Sequence, residues 1–483
     1  MPAISYPSRF HDDQPTLDDE LGHAPHVQHL GEMIVGCTPP LVLGIHGDWG
    51  TGKTSFLQKL HLFLAGKESG YARADDLGKA LWPQGYYGSG RDKKVETIWF
   101  EAWRYQFDAN PVVALLNEIR AHFTWSRKLT EETGKLTFAA LMSIEELTKK
   151  IGIQPSKIVA GGEQWEADTL AQPLPSQLCR DLLHQAIGTI LKKGRKDRLV
   201  VFVDDLDRCR GEVAFGLLEA LKIYLSLPNC VFVLGLDWRN VRRAVDAELR
   251  KAGMVPPTKD GSDRLPVEAE DYLNKLCQSI YNLPLLSDGR QYLSSLMTSP
   301  VFQVDPEDPP PVPDGAWSRI IHDYRLLPQN PRKVKAFVNG LAFYVTELRA
   351  VLREVFPGDA VRPNHGLALI VAYLKLLAND VFRVLESDRA FWRELLEFCR
   401  TGRSEHPALK MRRLSQTLAE PESDAADEPY RYLPAFRDPA DETVFRAARL
   451  IREWEGGRPP TDDEFDMYVL LRQPSQQRQR SQE

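Results

Sequence analysis

A glycine-rich segment near the start of the chain carries the residue types that bind a triphosphate. It reads Gly-Asp-Trp-Gly-Thr-Gly-Lys-Thr-Ser over residues 47–55 and directly follows the apolar run Leu41–Ile45. Its glycines let backbone N–H groups curve around phosphate oxygens, Lys53 supplies an ammonium to the β and γ oxygens, and Thr54 offers a hydroxyl to Mg²⁺. Apolar residues at helical spacing follow, so the loop leads into a helix N-terminus, where anions are favoured. We assign the nucleotide-binding role to Gly47, Asp48, Trp49, Gly50, Thr51, Gly52, Lys53, Thr54 and Ser55.

A second apolar run ends in a cluster of acids. Residues Leu199–Val203 are continuously apolar and mostly β-branched, which is typical of a central parallel strand buried on both faces, and Asp-Asp-Leu-Asp-Arg follows over 204–208. One carboxylate at the end of such a strand holds the Mg²⁺ shell, and a neighbouring acid orients or deprotonates the attacking water. We assign Asp204 to the metal and Asp205 to the water. The alternative is an ordinary strand followed by a solvated acidic turn.

Two further strand-like runs also end in acids. The first run leads from Thr97 to Glu101, and the second leads from Cys230 to Asp237. Ligands of doubly wound sheets lie beyond the carboxyl ends of the strands, so these acids and Asp204 should converge near the γ-phosphate. We interpret Glu101 as a second candidate for positioning water and Asp237 as a γ-phosphate or water sensor. The alternative is that both acids only cap the helices that follow.

Four motifs, taken in their order along the chain, resemble the KAP family of P-loop NTPases. The resemblance spans roughly residues 15 to 400 and rests on Gly47–Ser55, Trp99–Tyr105, Val203–Cys209 and Asn330–Asn339. It implies an α/β, additional-strand P-loop NTPase core of three layers with a helical insertion, followed by a helical lid and a C-terminal helical region. Several bacterial members of the family exclude or resist phage. The family usually has Asn where this chain has Glu101, and many members carry membrane helices in the insertion.

The resemblance and the residue pattern together predict the domain organisation. Beyond Asp237 we predict helix, with the segment from Asp271 to Tyr281 leading into Leu283–Leu286. A surface loop is predicted over 67–94. The predicted domains are an NTPase core over 1–285 with a helical insertion at 108–197, a helical lid over 286–400, a C-terminal helical region over 401–472, and a disordered tail over 473–483.

An arginine is needed to stabilise charge on the transferred phosphoryl group. By resemblance to related ATPases, Arg332 is the sensor arginine that reaches the γ-phosphate from a helical lid, in a helix that begins at Asn330 with Pro at its first turn. Arg208 and an arginine of a neighbouring subunit are the other candidates. The alternative for Arg332 is a surface arginine at the start of a bundle helix.

Composition narrows the class of protein. The chain has 483 residues, of which 43% are hydrophobic, which is enough for more than one packed domain. Its six cysteines are scattered without a Cys-x-x-Cys pair, which indicates reduced thiols. The formal charge of −6 argues against a chain whose whole surface binds nucleic acid and leaves a local basic patch open. No apolar stretch approaches the roughly 18 residues of a membrane span, and no signal sequence is apparent, so we expect a cytoplasmic protein.

These features predict a Mg²⁺-dependent ATPase that acts as a conformational switch or assembly motor, with antiphage defence implied by the family resemblance. ATP is favoured over GTP because no guanine-reading Asn-Lys-x-Asp motif is present. We expect a homo-oligomer or an effector protein as partner. One alternative is a nucleotide-gated scaffold with negligible turnover. Another is an ATPase stimulated by nucleic acid, which only the basic segments Lys192–Lys196 and Arg400–Arg413 support.

Overall fold

The computed structural model describes residues 11–65, 95–107, 194–223, 227–253, 267–284, 289–297, 330–356, 364–401 and 458–474, with isolated positions between 114 and 192 and at 406, 409 and 451. The predicted loop at 67–94, most of the insertion predicted at 108–197 and most of the predicted tail lie outside these residues. The chain divides into two compact units. The P-loop unit comprises residues 14–284, and the C-terminal unit comprises residues 1–13 and 285–483.

The P-loop unit is built on one parallel sheet of five strands. The strand order is β2-β3-β4-β1-β5, and every neighbouring pair is parallel. Strand β4 therefore lies between β1, which precedes the glycine-rich loop, and β3, which precedes the acid cluster. The strands are β1 (Leu41–His46), β2 (Val95–Glu101), β3 (Arg198–Asp204), β4 (Cys230–Leu236) and β5 (Ser279–Asn282).

Helices cover both faces of this sheet. Successive residues of β3 point to opposite faces, so Val201 packs into one core and Phe202 into the other. This is why the strand reads as an unbroken apolar run. The helices are α1 (Ala24–Gly36) and α2 (Lys53–Ala65) on one face, and α3 (Gly211–Ile223), α4 (Trp238–Lys251) and α5 (Val267–Leu276) on the other. The arrangement confirms the prediction of a layered α/β core.

The helical interpretation of residues 271–281 is wrong at its C-terminal end. Helix α5 ends at Leu276, and Ser279–Asn282 form the edge strand β5, which pairs with β1 through Gly44 and Ile280. Both ends of this strand are exposed. A four-residue strand of this kind has no continuous apolar run, and its conformation is set by pairing with a distant segment.

The C-terminal unit is helical wherever it is described. Its longest helix, α7, begins as the sequence predicts, with Asn330 as N-cap accepting from the backbone N–H of Lys333 and Pro331 in the first turn. The unit contains α6 (Gly289–Leu296), α7 (Pro331–Val355), α8 (His365–Leu377), α9 (Asn379–Ser387), α10 (Phe391–Thr401) and a short helical segment that continues into a π-helical turn over Phe465–Val469. Within the described ranges, no helix is long and apolar enough to cross a bilayer.

Candidate functional site

The glycine-rich loop has the backbone conformation that its sequence predicts. It joins the end of β1 to the start of α2, and Gly50 and Gly52 have φ values of 86° and 92°, which other residues rarely adopt. A Cβ at Gly47 would lie 2.5 Å from Oγ1 of Thr51, whose hydroxyl donates to the carbonyl of Asp48. The strand, the loop and the helix thus form a complete phosphate-binding arrangement at a helix N-terminus.

Lys53 is buried at the first position of α2. Its ammonium donates to the carbonyls of Gly47 at 2.6 Å and Asp48 at 3.3 Å. It also lies 3.2 Å from Oδ2 of Asp207. Asp207 belongs to the acid cluster after β3, but sequence reasoning gave it no role. Its position three residues after Asp204, one turn of a 3₁₀ helix further on, was the available signal.

Asp204 is the last residue of β3, where it pairs in register with Glu101 of β2. It is 2% exposed and accepts a hydrogen bond from the Thr54 side chain. Burial, together with repulsion from Asp205, raises the pKa of Asp204 to about 7. Its Oδ1 is buried and has no hydrogen-bond partner among the described residues. The structure therefore brings together the two side chains that we assigned to Mg²⁺.

The space beside Asp204 depends on a glycine in the next strand. A Cβ at Gly235 of β4 would lie 2.7 Å from Oδ1 of Asp204 and 2.5 Å from Leu57. The hydroxyl of Thr54 and the carboxylate of Asp204 are hard oxygen donors, and Mg²⁺ is commonly held by one or two such groups plus phosphates and water. The residues present therefore fit a magnesium ion bound together with a triphosphate.

Both candidate water-positioning acids form ion pairs with an arginine three residues further on. Asp205 Oδ1 lies 3.0 Å from Nε of Arg208, and Glu101 pairs with Arg104. Burial raises the pKa of Asp205, although Arg208 opposes the shift. Asp205 also has a positive φ of 58°, a left-handed conformation that Asp adopts more readily than most residues. The backbone strain at this residue is of the kind that clusters at functional sites.

Asp237 caps the helix that follows β4. Its carboxylate accepts from the backbone N–H of Arg239 at 3.0 Å and from the Asn240 amide at 3.2 Å. In addition, the backbone N–H of Trp238 donates to Nδ1 of His46 at the end of β1. Capping was the alternative interpretation of Asp237, and the structure shows it. The sensor role of this acid stays a prediction.

The remaining assigned residues lie around the loop or in the other unit. The Trp49 side chain is 67% exposed, and Ser55 Oγ accepts from the backbone N–H of Thr16. Arg332, which we assigned to the γ-phosphate, lies in the C-terminal unit, where its guanidinium binds the carboxylate of Asp13 through two contacts of 2.7 and 2.6 Å. Its catalytic role stays a prediction.

A segment before α1 provides a counter-charge to the middle of α2. The carboxylate of Asp19 accepts from the backbone N–H groups of His23 and Ala24, and it pairs with Nζ of Lys59 at 3.1 Å. Lys59 is 1% exposed, so Asp19 supplies the counter-charge of a buried ammonium on the helix that begins with Lys53.

One comparison with known proteins identifies a family. A model of the KAP family P-loop domain matches residues 23–348, which is more than half of the chain. The match begins one residue before α1 and ends within α7. A comparison with curated protein sequences finds no match.

Proposed function

The chain belongs to the KAP family of P-loop NTPases, and we propose that it is a Mg²⁺-dependent ATPase whose hydrolysis drives a conformational switch or the assembly of a complex. The observation that carries this proposal is the hydrogen bond between Thr54, on the helix after the loop, and the buried Asp204 at the end of β3. ATP is the proposed substrate because the chain has no guanine-reading motif. Family resemblance supports a cytoplasmic role in antiphage defence, with a second copy or an effector protein as partner.

The chain's own residues have distinct roles in this proposal. Lys53 and the loop N–H groups bind the β and γ phosphates, while Thr54 and Asp204 hold the metal. Mg²⁺, when bound, neutralises charge on the phosphate oxygens. Asp205 accepts the proton of the attacking water while a new P–O bond forms and the bond from the γ-phosphorus to the bridging oxygen breaks.

The remaining groups position the reactants. Glu101 is the alternative acid for the attacking water, and Asp237 senses the γ-phosphate from the start of α4. Arg208 is the proposed cis arginine, since it lies 3.0 Å from Asp205 and over the ring of Trp103. Arg332 or an arginine of a neighbouring subunit are the other sources of this charge.

A second candidate function is a nucleotide-gated scaffold. It is favoured by the pairing of both candidate bases with arginines, Asp205 with Arg208 and Glu101 with Arg104. In each pair the arginine N–H groups occupy carboxylate oxygen positions to which the attacking water would otherwise donate. Turnover would then stay low until a partner separates these pairs.

Phosphate release and nucleotide affinity measured on purified variants test the proposal. We expect Lys53→Ala to lose ATP binding and turnover, and Asp205→Asn to bind ATP normally while turnover falls about a hundredfold or more. Lys251→Ala, which removes an exposed lysine of α4, is the matched control and should behave as wild type. Turnover that survives in Lys53→Ala would contradict the proposal, and turnover that survives in Asp205→Asn would remove that acid from catalysis.

The same assay separates the alternatives. ATP binding without turnover under any condition would favour the scaffold. Release stimulated by DNA or RNA, and lost as salt rises, would favour the nucleic-acid-stimulated ATPase.

A further inference from the structure

Asp207 forms an ion pair with Lys53, the lysine on which the proposed nucleotide binding depends. Oδ2 of this carboxylate lies 3.2 Å from Nζ of Lys53, and the two side chains are only 7% and 9% exposed. Water therefore screens the attraction between them far less than it would screen a surface pair. Two side chains this well buried hold fixed positions in the site, and their pairing is not a chance contact of mobile surface groups.

The ammonium of Lys53 is held by two kinds of contact. It donates hydrogen bonds to the carbonyls of Gly47 and Asp48 and forms an ion pair with the carboxylate of Asp207. A phosphate oxygen that approaches this nitrogen competes with Asp207 for the same positive charge. The two carbonyls are neutral and belong to the loop itself, so Asp207 is the counter-anion that a phosphate must replace.

Asp207 cannot simply follow the lysine, because the fold anchors it. The same Oδ2 accepts from the backbone N–H of Asp237 at 2.8 Å, directly before α4. Its backbone lies in the 3₁₀ turn Leu206–Arg208, which is fixed by a hydrogen bond from the N–H of Arg208 to the carbonyl of Asp205. When Lys53 turns to a phosphate, a negative carboxylate therefore stays close to a negative triphosphate, and this proximity is unfavourable.

We propose that Asp207 is an internal counter-anion of the P-loop lysine, a positioning residue that holds Lys53 until a β or γ phosphate displaces it and so weakens nucleotide affinity. This inference rests on the proposed function, since it concerns the same nucleotide site. Its consequence is that the affinity of the site is set below what the loop alone would give. Bound nucleotide is then released more readily.

Replacement of Asp207 by Asn tests the inference. Asn keeps an oxygen that can accept from the Asp237 N–H but removes the negative charge. We expect Asp207→Asn to bind ADP and a slowly hydrolysed ATP analogue about tenfold more tightly than wild type. AMP, which has no β or γ phosphate, should bind both proteins equally. In steady-state turnover, KM should fall while kcat does not rise, because the variant stabilises bound nucleotide without adding a group that acts only in the transition state.

Two further variants provide controls. Asp207→Glu keeps the charge and should stay close to wild-type affinity, and Asp271→Asn removes a charge from the exposed side of α5 and should change nothing. Calorimetric binding and thermal unfolding are measured on each purified full-length protein. Equal or weaker nucleotide binding by a folded Asp207→Asn protein, or an equal gain for AMP, would overturn the inference.

The outcome for wild type separates the two proposals. If wild type binds ATP but Asp207→Asn gives no gain, only the inference about Asp207 fails. If neither protein binds ATP, the proposed function fails together with it. Binding that appears only in Asp207→Asn would support the counter-anion.

Discussion

Asp204 in the P-loop unit and Asp466 in the C-terminal unit are both 2% exposed, but their surroundings differ. Asp466 binds two arginines, Arg389 and Arg472, through its Oδ1. Asp204 accepts from the Thr54 side chain and from the backbone N–H of Asp205, but no cation pairs with it within the described part of the chain. The charges of Asp205 and Asp207 repel it, and its Oδ1 has no hydrogen-bond partner among the described residues.

The difference is the one expected between a structural carboxylate and a carboxylate that binds a cation. A buried charge destabilises the folded state unless it is paired. If stability were the only requirement, we would expect every buried acid to have cationic partners, as Asp466 has. The acid at the end of β3 keeps a raised pKa and an unused oxygen beside Gly235. Such a group gains a partner when a cation binds, and strongly shifted groups of this kind are concentrated at functional sites.

The largest effect that we expect is on the Asp204 side of the comparison. In Asp204→Asn, a neutral amide replaces the carboxylate that we propose holds the metal, and Mg²⁺-dependent turnover should fall about a thousandfold or more, which corresponds to ~4 kcal/mol. Thermal stability should not decrease, because no buried charge loses its partner. Phosphate release over a Mg²⁺ titration measures the first effect, and calorimetry measures the second. Wild-type turnover in this variant would mean that Asp204 holds no metal.

Asp466→Asn should have the opposite effect, with lower stability and unchanged nucleotide binding. This change weakens a buried ion cluster, and we expect the unfolding transition of the C-terminal unit to lose about 2 to 3 kcal/mol. Nucleotide affinity should not change below the transition. Asp462→Asn is the matched control, since Asp462 also pairs with Arg389 but is 82% exposed, and its loss should cost less than about 1 kcal/mol. Urea titration with ATP binding as a second readout would show whether the two effects separate.

A smaller effect, on pH dependence, comes from His23, which packs edge-on to Phe56 of α2. Burial, and then the charge of Lys59, lowers the pKa of His23 from 6.5 to about 4. The neutral ring is favoured in the folded state, so its contribution is complete above pH 6.5 and is lost as the pH falls towards 4. We expect the His23 titration by itself to remove about 2 kcal/mol of stability from the P-loop unit across that window, whereas Asp204, whose pKa is raised, contributes with the opposite sign.

His23→Phe keeps an aromatic ring and removes this titration. The stability of this variant relative to wild type, measured by thermal unfolding, should therefore rise as the pH falls from 7.5 to 4. The exposed residue His29 provides the control, because His29→Gln should keep the wild-type profile. An unchanged slope in His23→Phe would assign the acid sensitivity to other groups.

The sequence predicts the central strands because burial on both faces demands β-branched and apolar residues throughout, as in Leu199–Val203. It predicts the loop because the positive φ values of Gly50 and Gly52 exclude most other residues. It does not predict β5, whose conformation is fixed by pairing with β1 across most of the P-loop unit. The spacing of residues along the chain predicts a conformation only where neighbouring residues determine it.

The same limit applies to the charges of the site. The pairs of Glu101 with Arg104 and of Asp205 with Arg208 join residues three positions apart, so they could be read from spacing. The contact of Asp207 with Lys53 joins the turn after β3 to the start of α2. Only the order of the strands, with β4 between β1 and β3, brings those two elements to one edge of the sheet.

The position of Asp19 affects how this protein can be shortened. The match to the family begins at residue 23, four residues after this acid, and a fragment cut at that point would lack it. A fragment beginning there would lose the carboxylate that caps α1 and would leave the ammonium of Lys59 buried without a counter-charge, on the same helix that presents Lys53. The physical boundary of the nucleotide-binding fragment therefore lies before Thr16, whose backbone N–H binds Ser55.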